Sequence, residues 1–359
     1  MRVTRIVPRL LSIAIIPGVC LTSFLLLAIV LRLAGADAGR ALAAMWSGSI
    51  GSWYALTSST LVRATPLILA GLAVGVAFRA GVWNIGAEGQ FLAGSAAAAW
   101  VALHWTILPH PMLLPAILVV GAGAGAGWAA IAALLRRRYG VIEVISTIML
   151  NFVAVYGVGY LVRGPLQEPT RIYPQSATLP DAARLPLLAS GTRLHVGFLL
   201  ALAVAVVTWW VFRATAAGFR VRVAGGNPRA AVTAGRIDVP AVTFRAFLAG
   251  GALAGLAGAV QLTGVTYALY ENISPGYGYT AIAVALLAGL HPLGIVLTGM
   301  LFGALDSGAL AMQREASVPA VVVLVIEAVL ILSVVAIARW RDSLLFGGST
   351  IPSAVRADS

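Results

Sequence analysis

Long apolar stretches alternate with short polar connections along almost the whole of this chain. Because the hydrocarbon core of a bilayer is about 30 Å thick, a helix of roughly 20 apolar residues can cross it. The pattern therefore predicts an all-α, polytopic membrane protein with about ten transmembrane helices. The ten candidate spans lie near residues 10–31, 64–79, 90–107, 113–135, 141–162, 196–213, 244–265, 278–291, 293–311 and 318–338.

Two of these candidates are weak. The span at 64–79 is short, and the one at 278–291 ends on His291 and Pro292 and is too short to cross a bilayer unaided. Short or broken helices are tolerated where neighbouring helices or a water-filled cavity satisfy their backbone. The aromatic-rich segment at 40–62 is expected to be an interfacial helix outside the membrane rather than a span.

Composition supports this class. Of 359 residues, 60% are hydrophobic and 10% are charged, with a mean hydropathy of +0.96. Soluble domains carry about 25% charged residues, and no segment is polar and long enough to form a separate soluble domain. We therefore expect a single transmembrane domain over 1–359.

The charge is strongly one-sided: all 24 basic residues are Arg, and the net charge is +12. The arginines are scattered through short loops, which is typical of a topology signal and not of a nucleic-acid surface. A Walker A loop needs a Lys on the phosphates, so the absence of Lys excludes an ordinary P-loop ATPase within this chain.

Arginine placement predicts the orientation. With the N-terminus inside and ten crossings, sixteen of the 24 arginines lie on the cytoplasmic side, as the positive-inside rule requires. Both termini and the loops containing 136–138 and 213–245 are then cytoplasmic. The long outer loop at 164–195 holds five prolines and should be ordered but irregular. It is either a surface for a partner or a connector.

No enzyme site, cofactor site or metal site is indicated. The single cysteine, Cys20, can form neither a disulfide nor a Cys-based metal site within one chain. The four histidines are not spaced as ligands on one helix face. We therefore expect no enzymatic activity from this chain.

Polar residues cluster at the connection between the second and third candidate spans. Residues 79–90 contain three glycines around Asn84, Glu88 and Gln90, which suits a helix break whose amides face a polar path. The alternative is a short cytoplasmic turn. Asn151, a little over two turns into the fifth span, is a further candidate. These four residues form our candidate translocation pathway.

Two carboxylates lie at membrane depth, Asp306 and Glu327. A carboxylate at the centre of a bilayer costs about 2.5–3.5 kcal/mol on insertion scales, so each should be protonated, paired or in contact with water. Glu327 supports a competing class of function, a proton-coupled secondary transporter.

Small residues predict close helix packing. Gly121, Gly123, Gly125 and Gly127 lie in the fourth span, and the seventh contains Gly251-xxx-Gly255. Small residues allow helix backbones to approach closely inside a membrane. The pentapeptide LAGLA occurs in spans two and seven, five spans apart, which suggests an inverted repeat.

The loop at 214–243 contains a complete signature for a short helix. Asn227 suits the N-cap, Pro228 the first helical position, and Gly235 the C-terminal stop. A capped helix of about two turns in a basic loop is expected to dock a cytoplasmic protein that drives the membrane part, with Ala231 on the docking face. The alternative is a basic loop that only sets topology.

Four motifs now identify a family resemblance. They are NIGAEGQFLAG at Asn84–Gly94, EVISTIMLNFVA at Glu143–Ala154, GPLQEP at Gly164–Pro169 and AGGNPRAAVTAG at Ala224–Gly235. Over about residues 60–340 the chain resembles the permease subunits of bacterial ABC importers, in the branch that contains branched-chain amino acid, simple-sugar and nucleoside permeases. The first two motifs are most similar to the larger nucleoside-type permease.

The resemblance implies a fold and a set of partners. It implies a type II importer permease with about ten spans, related in fold to the vitamin B12 importer, in the bacterial plasma membrane. The implied partners are a second permease subunit, two ABC ATPase subunits that use the ATP, and an extracytoplasmic solute-binding lipoprotein. The implied coupling helix, which docks the ATPase, comprises Gly225, Asn227, Pro228, Arg229, Ala230, Ala231 and Gly235.

The resemblance also implies the cargo, a nucleoside or a related polar solute that moves inward by alternating access. A simple sugar is the alternative within the family. No family motif assigns solute contacts residue by residue, so Asn84, Glu88, Gln90 and Asn151 remain a hypothesis based on their polarity.

Overall fold

The computed structural model describes residues 37–105 and 108–319, together with the single positions 29, 32, 35, 322, 325 and 328. The chain forms two compact units, one from 1–45 with 309–359 and one from 46–308. Within the described residues the protein is helical, and β-structure is limited to three isolated bridges. The predicted span at 10–31, most of the one at 318–338, and Cys20 and Glu327 lie outside the described residues.

Eleven α-helices are described in chain order, with a π-helical turn at Ala55–Thr60 before the second and another at Leu262–Thr266 after the ninth. They are α1 Ala38–Ser49, α2 Leu61–Arg79, α3 Ala87–His104, α4 His110–Tyr139, α5 Glu143–Arg163, α6 Gly197–Ala214, α7 Ala216–Gly226, α8 Pro228–Gly235, α9 Val239–Gln261, α10 Tyr277–Leu287 and α11 Pro292–Glu315.

Six helices in the described part of the chain are long and apolar enough to cross a membrane. They are Ala55–Arg79, Pro111–Tyr139, Glu143–Arg163, Gly197–Ala214, Val239–Thr266 and Pro292–Glu315. The helix α10 has 11 residues and is about 16 Å long, which confirms that this segment is too short to span by itself. The total of ten spans stays a prediction.

The second span is longer than the sequence predicted. It begins at Ala55 and has 25 residues, so residues 55–62 belong to it and not to an interfacial helix. Threonine hydroxyls make this polar start compatible with burial, because they donate hydrogen bonds to backbone carbonyls. The hydroxyl of Thr57 donates to the Trp53 carbonyl (2.7 Å), and that of Thr60 donates to the Ser49 carbonyl (2.7 Å).

The core of the larger unit is built around α9, which packs against α2, α3 and α4. A Cβ added at Gly125 would overlap the carbonyl oxygen of Gly251, and one at Gly94 would overlap that of Gly255. The close approach predicted from small residues is therefore confirmed for one face of α4. Gly123 has open space around it and takes no part in this contact.

The long loop after α5 is ordered and irregular, as predicted. It runs along the segment that follows α9, where the Ser176 amide donates to the Leu269 carbonyl (2.7 Å) and the Leu185 amide donates to the Thr263 carbonyl (2.9 Å). Its last residues bring His195 to a fully buried position.

The smaller unit has its own cluster of buried side chains. Ala41 and Ala44 of α1 pack with Ala309, Met312 and Val318.

Candidate functional site

The helix break predicted between the second and third spans is present. The helix α2 ends at Arg79, and Gly81 then takes a left-handed conformation (φ 77°), which glycine adopts at little cost. The chain remains non-helical until α3 begins at Ala87. This break carries the residues that the sequence singled out.

Asn84 and Gln90 are hydrogen-bonded to each other across the helix break. The amide of each donates to the side-chain oxygen of the other, both at 3.0 Å. The Asn84 oxygen also accepts from the Gly86 amide at 2.9 Å. Both side chains are buried, and their reciprocal bonds satisfy amides that would be costly to bury alone.

Asn151 of α5 joins the break from the neighbouring helix. Its Oδ1 accepts from the Gly89 amide (2.8 Å), one of the first-turn amides that have no partner within α3. Its Nδ2 donates to the Ile85 carbonyl (2.9 Å) and to the Tyr279 hydroxyl (3.2 Å). One buried side chain therefore links α5 to both α3 and α10.

Glu88 likewise accepts a hydrogen bond from a first-turn amide, in this case of the short helix α10. Its Oε2 accepts a hydrogen bond from the Gly278 amide at 2.7 Å, in the first turn of that helix. A carboxylate at a helix N-terminus is stabilised both by the free amides and by the helix dipole. A Cβ at Gly278 would overlap the Glu88 backbone, so the two helix starts are in direct contact.

We call Asn84, Glu88, Gln90 and Asn151 the polar junction. The structure brings all four together at the starts of α3 and α10, and it buries all four. Their donors and acceptors connect the three helices α3, α5 and α10. Their assignment to the translocation pathway stays a prediction.

The carboxylate of Asp306 is paired, as predicted for an intramembrane acid. It accepts a hydrogen bond from the Arg63 guanidinium at 2.5 Å, which joins α11 to α2.

The short capped helix predicted in the basic loop is also present. The helix α8 runs from Pro228 to Gly235, and the Asn227 side chain accepts from the Ala230 amide at 3.0 Å. The left-handed residue that ends it is Arg236 (φ 47°), so the stop lies one position beyond the predicted Gly235.

A second helix, α7, precedes α8 and was not predicted. Its signal is the N-cap Thr215, whose hydroxyl accepts from the Gly218 amide.

The exposed face of α8 differs from the expected one. Arg229, Ala230, Val232 and Thr233 are exposed, whereas Ala231 is completely buried. The expectation that Ala231 lies on a docking face is therefore wrong. A helix of two turns needs an inward contact to stay on the protein, and Ala231 lies on the side that packs on α7 and α9.

The basic loop touches the helix break directly. A Cβ added at Gly225 in α7 would overlap the Arg79 carbonyl, and one at Gly81 would lie 3.3 Å from the Gly225 Cα. The backbone of α7 thus rests on the turn that precedes the polar junction.

A cavity of about 570 Å³ opens beside the C-terminal end of α5. Its walls include Tyr156 and Tyr160, one helical turn apart and both largely exposed. Arg163 and Glu271 form a two-pronged ion pair in its wall, with Nε–Oε1 at 2.8 Å and Nη2–Oε2 at 3.1 Å. Asn272 completes the polar side.

This cavity was not predicted from the sequence. The i, i+4 pair of tyrosines before Arg163 was the only local signal, since Glu271 lies more than 100 residues away. Aromatic rings beside hydrogen-bonding groups suit a ring-shaped polar solute.

Comparison with known proteins gives the family. Residues 56–334 match the family described as branched-chain amino acid transport system / permease component. A glucose ABC transporter permease of Haloferax volcanii is 40% identical over 84% of this chain and 82% of its own length. A guanosine ABC transporter permease of Bacillus subtilis is 38% identical over 86% and 88%.

A nucleoside ABC transporter permease of Lactococcus lactis is 31% identical over 76% of this chain and 77% of its own length. No solved structure matches the chain. The resemblance seen in the four sequence motifs is thereby confirmed. The chain belongs to the branched-chain amino acid transport system permease family and is a multi-pass membrane protein of the ABC permease class.

Proposed function

We propose that this chain is the permease subunit of an ATP-driven importer that carries nucleosides across the bacterial plasma membrane, with sugars as the second candidate cargo. ATP is hydrolysed by two partner ATPases, because the chain has no Lys for a Walker A loop. A second permease subunit and an extracytoplasmic binding lipoprotein complete the assembly. Both termini and α8 lie on the cytoplasmic side.

The observation that carries this proposal is the position of α8. It is a capped helix with an exposed face that carries Arg229, and it is attached to α7. In turn, α7 rests on the turn that precedes the polar junction. An ATPase that docks on α8 and moves would shift that turn, and with it the starts of α3 and α10.

The cargo is proposed from the cavity beside α5. The named cargoes of the relatives are guanosine, nucleosides and glucose, all uncharged ring compounds with several hydroxyls. Tyr156 and Tyr160 would stack on a base or on the apolar face of a sugar. Arg163 and Glu271 would exchange hydrogen bonds with the hydroxyls while remaining paired. We place nucleosides first because two exposed tyrosines favour a flat base.

Uptake by the assembled transporter tests the proposal. Cells that express this chain with its ATPase, second permease and binding lipoprotein should take up labelled guanosine, and depletion of ATP should abolish uptake. Faster uptake of glucose would instead make the sugar the cargo.

The competing class is a proton-coupled carrier that uses Glu327. Uptake by vesicles under an imposed proton gradient, with ATP and ATPase absent, would establish that class and reject the importer.

A further inference from the structure

A groove of about 460 Å³ runs between the C-terminal turns of α6 and the N-terminal turns of α9, with α7 at one side. Most of its surface is apolar. The apolar lining includes Val76, Val207, Val211, Ala249, Ala252 and Leu253.

Two arginines interrupt this apolar lining, Arg220 of α7 and Arg245 of α9. Both are exposed. The ion pairs of the described residues involve Arg63, Arg136, Arg163 and Arg184. Within this part of the chain, therefore, no carboxylate neutralises Arg220 or Arg245. Among the described residues, the groove thus combines an apolar wall with two arginines that have no anionic partner.

Along α9, the arginine end of the groove is separated from its apolar wall. Arg245, Ala249 and Leu253 lie at successive turns on one face, so the apolar wall extends about 12 Å beyond the arginine. The helix α7 is held against the end of α6, because a Cβ at Gly218 would overlap the Val211 carbonyl. This contact fixes α7, and with it Arg220, at the end of the groove where α9 begins.

We propose that the groove binds an anionic phospholipid of the surrounding membrane. One acyl chain lies against the α6 and α9 wall, and the phosphate accepts hydrogen bonds from Arg220 and Arg245. Anionic headgroups are attracted to clustered arginines beside membrane helices, and a guanidinium matches the geometry of a phosphate. The proposal uses only the multi-pass membrane character of the chain and is independent of its cargo.

Native mass spectrometry of the purified full-length chain tests this site. The probes are dioleoyl-phosphatidylglycerol and dioleoyl-phosphatidylcholine, titrated separately in a neutral detergent. The wild type should bind the anionic lipid more tightly. The double variant Arg220→Gln/Arg245→Gln should lose affinity for it by a factor of about thirty, the effect of two basic groups at an anionic surface.

Three further variants separate the site from general charge attraction. Arg138→Gln/Arg236→Gln removes two exposed arginines outside the groove and should bind like the wild type. Arg220→Lys/Arg245→Lys keeps the charge and should retain most of the affinity. Ala249→Phe fills the apolar wall at an exposed helix position and should weaken binding without any change of charge.

Equal binding of both lipids by the wild type would overturn the proposal. The same would follow if Arg220→Gln/Arg245→Gln and Ala249→Phe both bound the anionic lipid normally. If Arg220→Gln/Arg245→Gln and Arg138→Gln/Arg236→Gln lost affinity for the anionic lipid equally, the binding would reflect general electrostatic attraction. That result would also reject the site.

Discussion

Gly225 and Arg79 are in direct backbone contact, although they are 146 positions apart in the sequence. No side chain fits at Gly225, because its Cβ would overlap the Arg79 carbonyl oxygen. This contact joins the basic loop to the helix break that holds the polar junction. In our account it is the point at which motion of α8 reaches the transmembrane helices.

The first prediction concerns this contact. Gly225→Ala should leave expression intact but reduce solute uptake at least tenfold, because α7 must move away from the turn at 79–81. Gly226→Ala is the matched control, since its Cβ would meet open space and it brings the same gain in helix propensity. Uptake by the assembled importer is the measurement. Normal uptake by Gly225→Ala would show that the contact is dispensable.

A second prediction separates structural and solute-binding roles in the polar junction. Asn151→Leu keeps the approximate volume but leaves the Gly89 amide and the Ile85 carbonyl without their partner. Each unsatisfied buried group costs about 1–3 kcal/mol, so the apparent melting temperature should fall by several degrees.

The control for this substitution is the neighbouring, exposed position, Phe152→Leu, which should melt like the wild type. If Asn151→Leu melted normally but lost uptake, the residue would instead act in the translocation pathway.

Much of this region could be predicted from the sequence, because its signals are local. Gly81 and the amides of Asn84 and Gln90 lie within ten residues of one another, and they indicated the break. Asn227 and Pro228 indicated the start of α8 for the same reason: an N-cap and a first-turn proline act within one helical turn.

The rest depends on distant contacts that a single sequence does not display. Arg163 and Glu271 form their ion pair across more than 100 residues. The burial of Ala231 depends on where α7 and α9 lie, and not on the helix that contains it. The π-helical start of the second span was missed because Thr57 and Thr60 look polar until their hydroxyls are seen to bond to nearby carbonyls.

A third prediction follows from the buried His195. Burial lowers its pKa from 6.5 to about 4, and no group in the described part of the chain forms a hydrogen bond with either of its ring nitrogens. Between about pH 6.5 and pH 4 the unfolded chain therefore binds the proton more readily than the folded one. The contribution of His195 to the free energy of unfolding is therefore fully present above pH 6.5. The free energy of unfolding decreases as the pH falls, by about 2 kcal/mol at pH 5.

Thermal melting at pH 7 and pH 5 measures this effect. His195→Leu should remove most of the difference between the two values, whereas His104→Gln, at an exposed ring, should retain it. An unchanged pH dependence in His195→Leu would assign the effect to other groups.

A fourth prediction concerns orientation. Cys20 is the only cysteine, so Cys20→Ser provides a cysteine-free background for single-site labelling. A cysteine at Ile172, in the exposed part of the outer loop, should react with an impermeant maleimide added outside intact cells. A cysteine at Thr233, on the exposed face of α8, should react only after the membrane is opened. Labelling of both positions from the same side would contradict the proposed topology.

The docking of the ATPase on α8 is the central claim, and copurification tests it most directly. Val232→Asp places a carboxylate on the exposed face of α8, where it would be buried unpaired in a docked ATPase at a cost of several kcal/mol. Its control is Ile172→Asp, an equally drastic change at an exposed position of the outer loop. Our account predicts that Val232→Asp inserts and melts normally but loses the ATPase on purification, while Ile172→Asp retains it. Wild-type recovery of the ATPase with Val232→Asp, together with normal uptake, would contradict the assignment of α8 as the coupling helix.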